Sequence, residues 1–155
     1  MLNEFSAKKI GEVLAFCRVG IETLVKGRNA LSPILEVGKT ITQIEDQEKI
    51  IRALVDAQSI GDITLPKAEK TADKLRAMRD MYVDGQWDNP AELLEWLGFF
   101  EGAAIVHFAL VVGVADATKN QIIKDMASHG VHFHESVLTE VKKALEKIGE
   151  KKAQS

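Results

Sequence analysis

The chain of 155 residues has little cysteine and no excess of charge of one sign. Its single cysteine, Cys17, excludes an intramolecular disulfide and a zinc site built from several cysteines. Lys and Arg number 20 against 23 Asp and Glu, so the net charge is only -3. The two signs are also mixed along the chain, so the charge gives no indication of binding to nucleic acid or to an anionic membrane.

Catalytic and targeting motifs are also missing. The sequence contains no Gly-x-Ser-x-Gly elbow, no phosphate-binding glycine loop and no dinucleotide fingerprint. Residues 1–9 lack the pattern of a signal peptide, and the most apolar stretch, residues 102–115, is shorter than the roughly 18 residues of a membrane span. We therefore expect a soluble, cytoplasmic protein that binds neither membrane nor nucleic acid, and the sequence favours a non-enzymatic role.

Helical periodicity is what the sequence does contain. Apolar residues recur at three- and four-residue steps along the whole chain, whereas the alternation typical of strands is absent. Short connections between long helices favour antiparallel neighbours. We predict an all-α, up-and-down antiparallel bundle of about five helices, forming one domain over residues 1–150 with a frayed tail at 151–155. The predicted helices cover roughly residues 4–26, 33–57, 66–84, 90–115 and 118–148.

The predicted fourth helix is apolar on two sides. It begins at Asn89-Pro90, a capping residue followed by proline at the first helical position. A helix with two apolar sides lies in the middle of a bundle or at an oligomer interface. Only Glu101 and His107 interrupt its stripes, so we predict a central helix and self-association as a dimer through the fourth or fifth helix.

The predicted fifth helix contains a histidine-rich run around Gly130. The apolar positions keep one phase across this glycine, which favours a single long helix; a break at His129-Gly130 is the alternative. In an unbroken helix His132 and His134 point about 160° apart, so the run cannot converge on one ion. Two-residue surface sites remain open, with His132 joined by either His129 or Glu135.

Four polar residues lie where helical phase directs them towards the interior: Glu48, Glu101, His107 and His134. Carboxylates and imidazoles inside a bundle are typical ligands of a metal centre, so these four are the candidate ligands of a divalent metal ion. The Glu-x-x-His pattern of ferritin-like di-iron proteins is absent. The alternative, which we favour, is that each residue has its own hydrogen bond or salt bridge, with Arg18, Arg52 or Arg79 as available cations.

Aromatic residues of the predicted fourth helix suggest a third possibility. Trp96 and Phe100 lie on the side of His107, so the three residues are candidates to line an apolar cavity with one polar anchor for a small molecule. Ordinary core packing explains the same spacing. The sequence thus favours a self-associating bundle that acts through protein–protein or apolar-ligand binding, with a metal-binding protein or metal-dependent enzyme as the alternative.

Overall fold

Six helices and no strand make up the part of the chain that the computed structural model describes, residues 2–155. The prediction of an all-α bundle is therefore confirmed. The additional helix is a single turn between the first two long helices. The helices are α1 Glu4–Lys26, α2 Arg28–Leu31, α3 Val37–Ala57, α4 Gly61–Val83, α5 Pro90–Thr118 and α6 Gln121–Ala153.

Asparagine caps determine where three of the long helices begin. The side chains of Asn3, Asn89 and Asn120 each accept a hydrogen bond from backbone N–H groups in the first turn that follows. These donors have no partner within the helix, so each cap fixes a start. Helix α5 ends at Thr118; the next residue, Lys119, has a φ of 52° that reverses the chain, and α6 begins at Gln121.

Several predicted boundaries differ from the observed ones. The second long helix begins at residue 37 rather than 33, and α4 begins at residue 61 rather than 66, with Pro66 inside it. The early start of α4 depends on tertiary contact, because Thr64 donates a hydrogen bond of 3.0 Å to the backbone oxygen of Ala7 in α1. Helix α5 extends to residue 118 and α6 covers 121–153, so most of the predicted frayed tail is helical.

Helix α1, and not α5, is the central helix of the bundle. It packs against α3, α4 and α5, and every residue from 10 to 20 except Arg18 is buried. Helix α5 packs mainly against α6 and leaves one of its apolar sides open. The prediction of a central fourth long helix was therefore wrong. The sequence shows that a helix has an apolar side, but it does not show whether another helix of the same chain covers that side.

Helix α6 continues through Gly130, as its unbroken phase predicted. A Cβ atom at this position would lie 2.2 Å from a ring carbon of Phe108 in α5. The glycine therefore permits the close approach of α5 and α6.

Helix α5 is the one helix within residues 2–155 that is long and apolar enough, by length and composition alone, to cross a membrane. Its most apolar 18-residue window has a mean hydropathy of 1.9, and only 39% of that window is buried in the bundle. The charge-free residues 102–115 are by themselves too few to span a membrane. The helix extends beyond them on both sides, so the apolar segment is longer than that run. Much of the apolar surface of α5 is thus left without a partner in the single chain.

Candidate functional site

A polar cluster lies in the core where four helices meet. Each of α1, α3, α5 and α6 contributes one side chain, and none of the four residues is more than 3% exposed. These residues are Cys17, Gln47, Glu101 and His134, in the order of the helices. Because buried polar groups are unfavourable unless they are paired, their hydrogen bonds define what the cluster can do.

Hydrogen bonds connect the cluster into one chain of groups. The Nδ1 atom of His134 is hydrogen-bonded to Oε2 of Glu101. Its Nε2 atom lies 3.3 Å from Oε1 of Gln47, and the thiol of Cys17 donates to the same oxygen over 3.4 Å. An amide oxygen only accepts, so Nε2 of His134 carries a proton.

The amide nitrogen of Gln47 is buried and has no hydrogen-bond partner. Leaving a buried donor unpaired costs roughly 1–3 kcal/mol, so this side chain reduces the stability of the core. Its oxygen faces Cys17 and His134, and its nitrogen points away from both.

Two aromatic rings hold the imidazole of His134 in place. The ring of Phe108 lies 5.2 Å from it between centroids, and that of Phe133 lies 5.0 Å away in an edge-on arrangement. The ring of Phe108 reaches this position because Gly130 has no side chain. The direction in which Nε2 points is therefore fixed by packing as well as by Glu101.

The thiol of Cys17 is in an environment that disfavours its ionised form. Burial is the largest cause of its raised pKa, and the negative charges of Glu48 and Glu101 raise the pKa further. A protonated, buried thiol is a poor nucleophile. The cluster thus does not contain a reactive cysteine of the kind used in covalent catalysis.

The structure separates two of the four predicted metal ligands from the cluster. The carboxylate of Glu48 accepts a hydrogen bond of 3.0 Å from Arg52, and its side chain is 22% exposed. The imidazole of His107 lies 2.7 Å from the backbone oxygen of Ala103 and packs in a tilted arrangement against the ring of Phe16, with 4.8 Å between centroids. Both residues thus have hydrogen-bond partners outside the cluster.

Only Glu101 and His134 of the predicted ligands come together. Across residues 2–155, no group of three or more His, Cys, Asp and Glu side chains is arranged to hold a metal ion. Helical phase identified the correct faces of α5 and α6, but it did not indicate which residues lie at the same height in the bundle.

Sequence reasoning missed Gln47 as a member of the cluster. Along α3, Ile44 and Ile51 belong to the apolar stripe, and both Gln47 and Glu48 are spaced from them by three or four residues. Helical period therefore does not choose between the two positions. Contact with α1 and α6 places Gln47 inside and leaves Glu48 at the edge.

The predicted cavity residues Trp96 and Phe100 are part of the core. They are 4% and 2% exposed, and their rings lie 6.1 Å apart. Phe100 also packs on Phe16 at 5.1 Å. Five surface pockets of 280–360 Å³ are lined by other residues. The two rings thus pack against each other and against α1 in the core.

The second candidate feature is the open side of α5, which we call the α5 face. Its residues lie within about 60° of Val106 around the helix, at about 100° per residue. Phe99 and Val106 are 64% and 62% exposed, and no charged residue occurs between positions 102 and 115. The face comprises Phe99, Gly102, Ala103, Val106, Ala109, Leu110 and Gly113.

Two glycines of the α5 face have no role in packing within the chain. A Cβ atom on Gly102 or Gly113 would meet nothing within 4 Å. Glycine inside a helix costs about 1 kcal/mol relative to alanine. Gly130 is explained by the contact with Phe108, whereas these two are unexplained by anything in the single chain.

The chain was compared with protein families, curated proteins and solved structures, and no match was found.

Proposed function

We propose that this protein is a self-associating helical bundle that forms a homodimer through the α5 face. The observation that carries the proposal is an exposed, charge-free helix face that contains two glycines unused by the chain's own packing. Exposed apolar surface of this extent is typical of interaction sites. Glycine in a helix also permits close approach of another helix.

The order of large and small residues along the face supports a second copy as the occupant. Phe99 and Gly113 each lie seven residues from Val106, while Gly102 and Leu110 each lie four residues from it. If two α5 helices cross antiparallel on a two-fold axis at Val106, each large side chain meets a glycine. Phe99 then faces the partner's Gly113, and Leu110 faces the partner's Gly102. An isologous interface requires this kind of self-complementarity.

Charge also supports the antiparallel arrangement. Helix α5 contains Glu92, Glu95, Glu101 and Asp116 but no Lys or Arg. An antiparallel pair sets the acidic beginning of one α5 beside the end of the other, where Lys124 compensates the charge of Asp116 and Lys119 is exposed. The two helix dipoles are then also opposed favourably. An anionic membrane surface attracts Lys and Arg, so the charge of α5 does not favour that alternative.

The apolar surface continues beyond α5 onto α4. The α5 face alone, from residue 99 to 113, is roughly 20 Å long, whereas a stable interface buries about 800 Å² on each partner. The ring of Phe99 packs on Tyr82 at 5.3 Å. Met78 and Met81, which are 47% and 78% exposed, extend the surface further along α4. We therefore expect the end of α4 to be part of the dimer interface.

Analytical ultracentrifugation of the full chain tests the proposal. We expect the wild-type protein to be a concentration-dependent dimer, and Val106→Arg to be a monomer with unchanged helical circular dichroism. The arginine would place two like charges at the two-fold axis. Thr139→Arg, on the exposed side of α6, is the matched control and is expected to remain a dimer. A wild-type protein that stays monomeric at the highest attainable concentration would refute self-association.

Cross-linking tests the antiparallel register. The native Cys17 is buried, so a cysteine introduced on the surface is the only accessible one. Val106→Cys is expected to cross-link two copies, because the two sites meet at the axis. Phe99→Cys is expected not to, because the two sites lie about 21 Å apart along the helices. Cross-linking at both positions indicates a parallel pair, and binding of monomers to lipid vesicles indicates a membrane surface; either result contradicts the proposed dimer.

A further inference from the structure

We infer that Cys17, Gln47 and His134 form a buried site for one divalent transition-metal ion, with Glu101 positioning the imidazole. The inference does not depend on the proposed dimer. It rests on the convergence of these side chains from four helices, on the spacing of their donor atoms and on the unpaired amide of Gln47.

The imidazole of His134 is held as metal-binding histidines are held. Such a histidine usually donates one ring N–H to a carboxylate and binds the ion through the other nitrogen. Here Nδ1 is hydrogen-bonded to the carboxylate of Glu101, so Nε2 is directed towards Gln47. The carboxylate lies behind the ring and is a positioning residue, not a ligand.

The spacing of the donor atoms fits a small ion. The Sγ atom of Cys17 and Nε2 of His134 lie 3.4 and 3.3 Å from the same oxygen of Gln47. Around a tetrahedral ion with bonds of about 2.0–2.3 Å, neighbouring ligand atoms are roughly 3.3–3.8 Å apart. Two of the three distances between the ligand atoms therefore already have the values of a tetrahedral site. Sulfur and imidazole ligands select zinc, cobalt or ferrous iron over calcium and magnesium.

Charge is balanced when the ion is bound. Without the ion, the buried thiol of Cys17 is protonated. Metal ligands bind in their unprotonated forms, so a divalent ion releases protons to solvent and leaves a thiolate, a neutral imidazole and the carboxylate of Glu101 around it. The two negative charges compensate the two positive charges, so no net charge is buried in the core.

This ligand set differs from the one expected from the sequence. Glu101 and His134 remain, but Cys17 and Gln47 replace Glu48 and His107. Only two of the three ligands are of the His, Cys, Asp and Glu types, so the site is compatible with the absence of a larger group of those types from residues 2–155. The amide of Gln47 presents its oxygen to the cluster and leaves its nitrogen unpaired, an orientation that suits a cation.

The surface of α6 offers a competing site. His129 and His132 line a polar pocket of about 340 Å³ that also contains Glu36 and Glu140. Exposed histidines three residues apart bind metal ions weakly, so an experiment has to distinguish this pocket from the core.

Cobalt binding to the untagged full chain tests the inference. Because the site is sealed, Co²⁺ is added both to the folded protein and during refolding from denaturant. We expect one Co²⁺ per chain and a thiolate-to-cobalt charge-transfer band in the near ultraviolet, which Cys17→Ser abolishes. Glu101→Gln is expected to weaken the affinity about 10–100-fold, as loss of the group that orients a ligand does. His132→Ala, the matched control, is expected to retain both the band and the affinity.

Two results would overturn the inference. The first is the absence of Co²⁺ binding after refolding. The second is binding that His132→Ala removes and Cys17→Ser leaves unchanged, which assigns the ion to the surface pocket. Gln47→Leu provides an independent variant if Cys17→Ser does not fold by circular dichroism, and it is expected to lower the affinity for Co²⁺ while keeping the thiolate band at saturation.

Discussion

Replacing Gly130 by alanine tests how the core around His134 is packed. The added Cβ would lie 2.2, 2.4 and 2.7 Å from three ring atoms of Phe108, where carbon atoms in contact are normally about 3.5–4.0 Å apart. The ring cannot move away freely, because it is fully buried and lies against the imidazole of His134. Helices α5 and α6 must therefore separate, or both rings must shift.

Two opposing effects set the size of the change. Overpacking a well-packed core typically costs about 1–3 kcal/mol. Alanine is favoured over glycine inside a helix by about 1 kcal/mol. The overlap at Gly130 involves three atoms of a ring that has no free space, so the cost belongs at the upper end of its range. We expect Gly130→Ala to lower the free energy of unfolding by about 1–2 kcal/mol.

Urea unfolding at fixed protein concentration measures this change, with Gly149→Ala as the control in the same helix. A Cβ atom at Gly149 would meet nothing within 4 Å, so there the substitution is expected to be neutral or to stabilise by up to about 1 kcal/mol. Replacing the ring by a smaller side chain, with Phe108→Leu in the Gly130→Ala background, should recover part of the lost free energy of unfolding. If Gly130→Ala is as stable as the wild type, α5 and α6 are not packed as closely as described.

Three further predictions concern other parts of the molecule. Gly113→Ala is expected to raise the free energy of unfolding of the monomer by about 1 kcal/mol, because the position is open in the single chain. It is expected to weaken the dimer, because in the proposed dimer this position faces a second copy. Urea unfolding and ultracentrifugation measure the two effects, and tighter dimerisation would contradict the reasoning. Cys17 is expected to react with a thiol reagent at mildly alkaline pH only after unfolding, since burial raises its pKa, and rapid reaction of the folded protein would show that the core opens. The pKa of Glu22 is lowered by hydrogen bonds of 2.9 and 2.7 Å from Arg76, so its stabilising effect is present above its ordinary pKa of 4.5 and is lost as the pH falls through the lower folded value. Glu22→Gln should therefore lose less stability than the wild type between about pH 6 and about pH 3, and an unchanged pH dependence would count against this ion pair.

The features that could be predicted from the sequence are those that depend on neighbouring residues along the chain. The spacing of apolar residues predicted the all-α class, and Asn89 predicted the start of α5. The unbroken phase of the apolar positions predicted that α6 continues through Gly130. These are local effects, because a cap or a helical turn involves residues within four positions of one another. Glu101 and His134 were also found, since their positions relative to the apolar stripes are a local property.

Which side chains come into contact depends on how the helices pack, and this could not be predicted from the sequence. Helical period allowed both Gln47 and Glu48 to face inward, and only the packing of α3 against α1 and α6 chose Gln47. Thr64 extended the start of α4 through a hydrogen bond to α1 that no local pattern encodes. The two apolar sides of α5 were evident from the sequence, but the position of α1 at the centre determined that one of them remained exposed. The physical reason is that a helix face is fixed by residues a few positions apart, whereas its neighbour comes from a distant part of the chain.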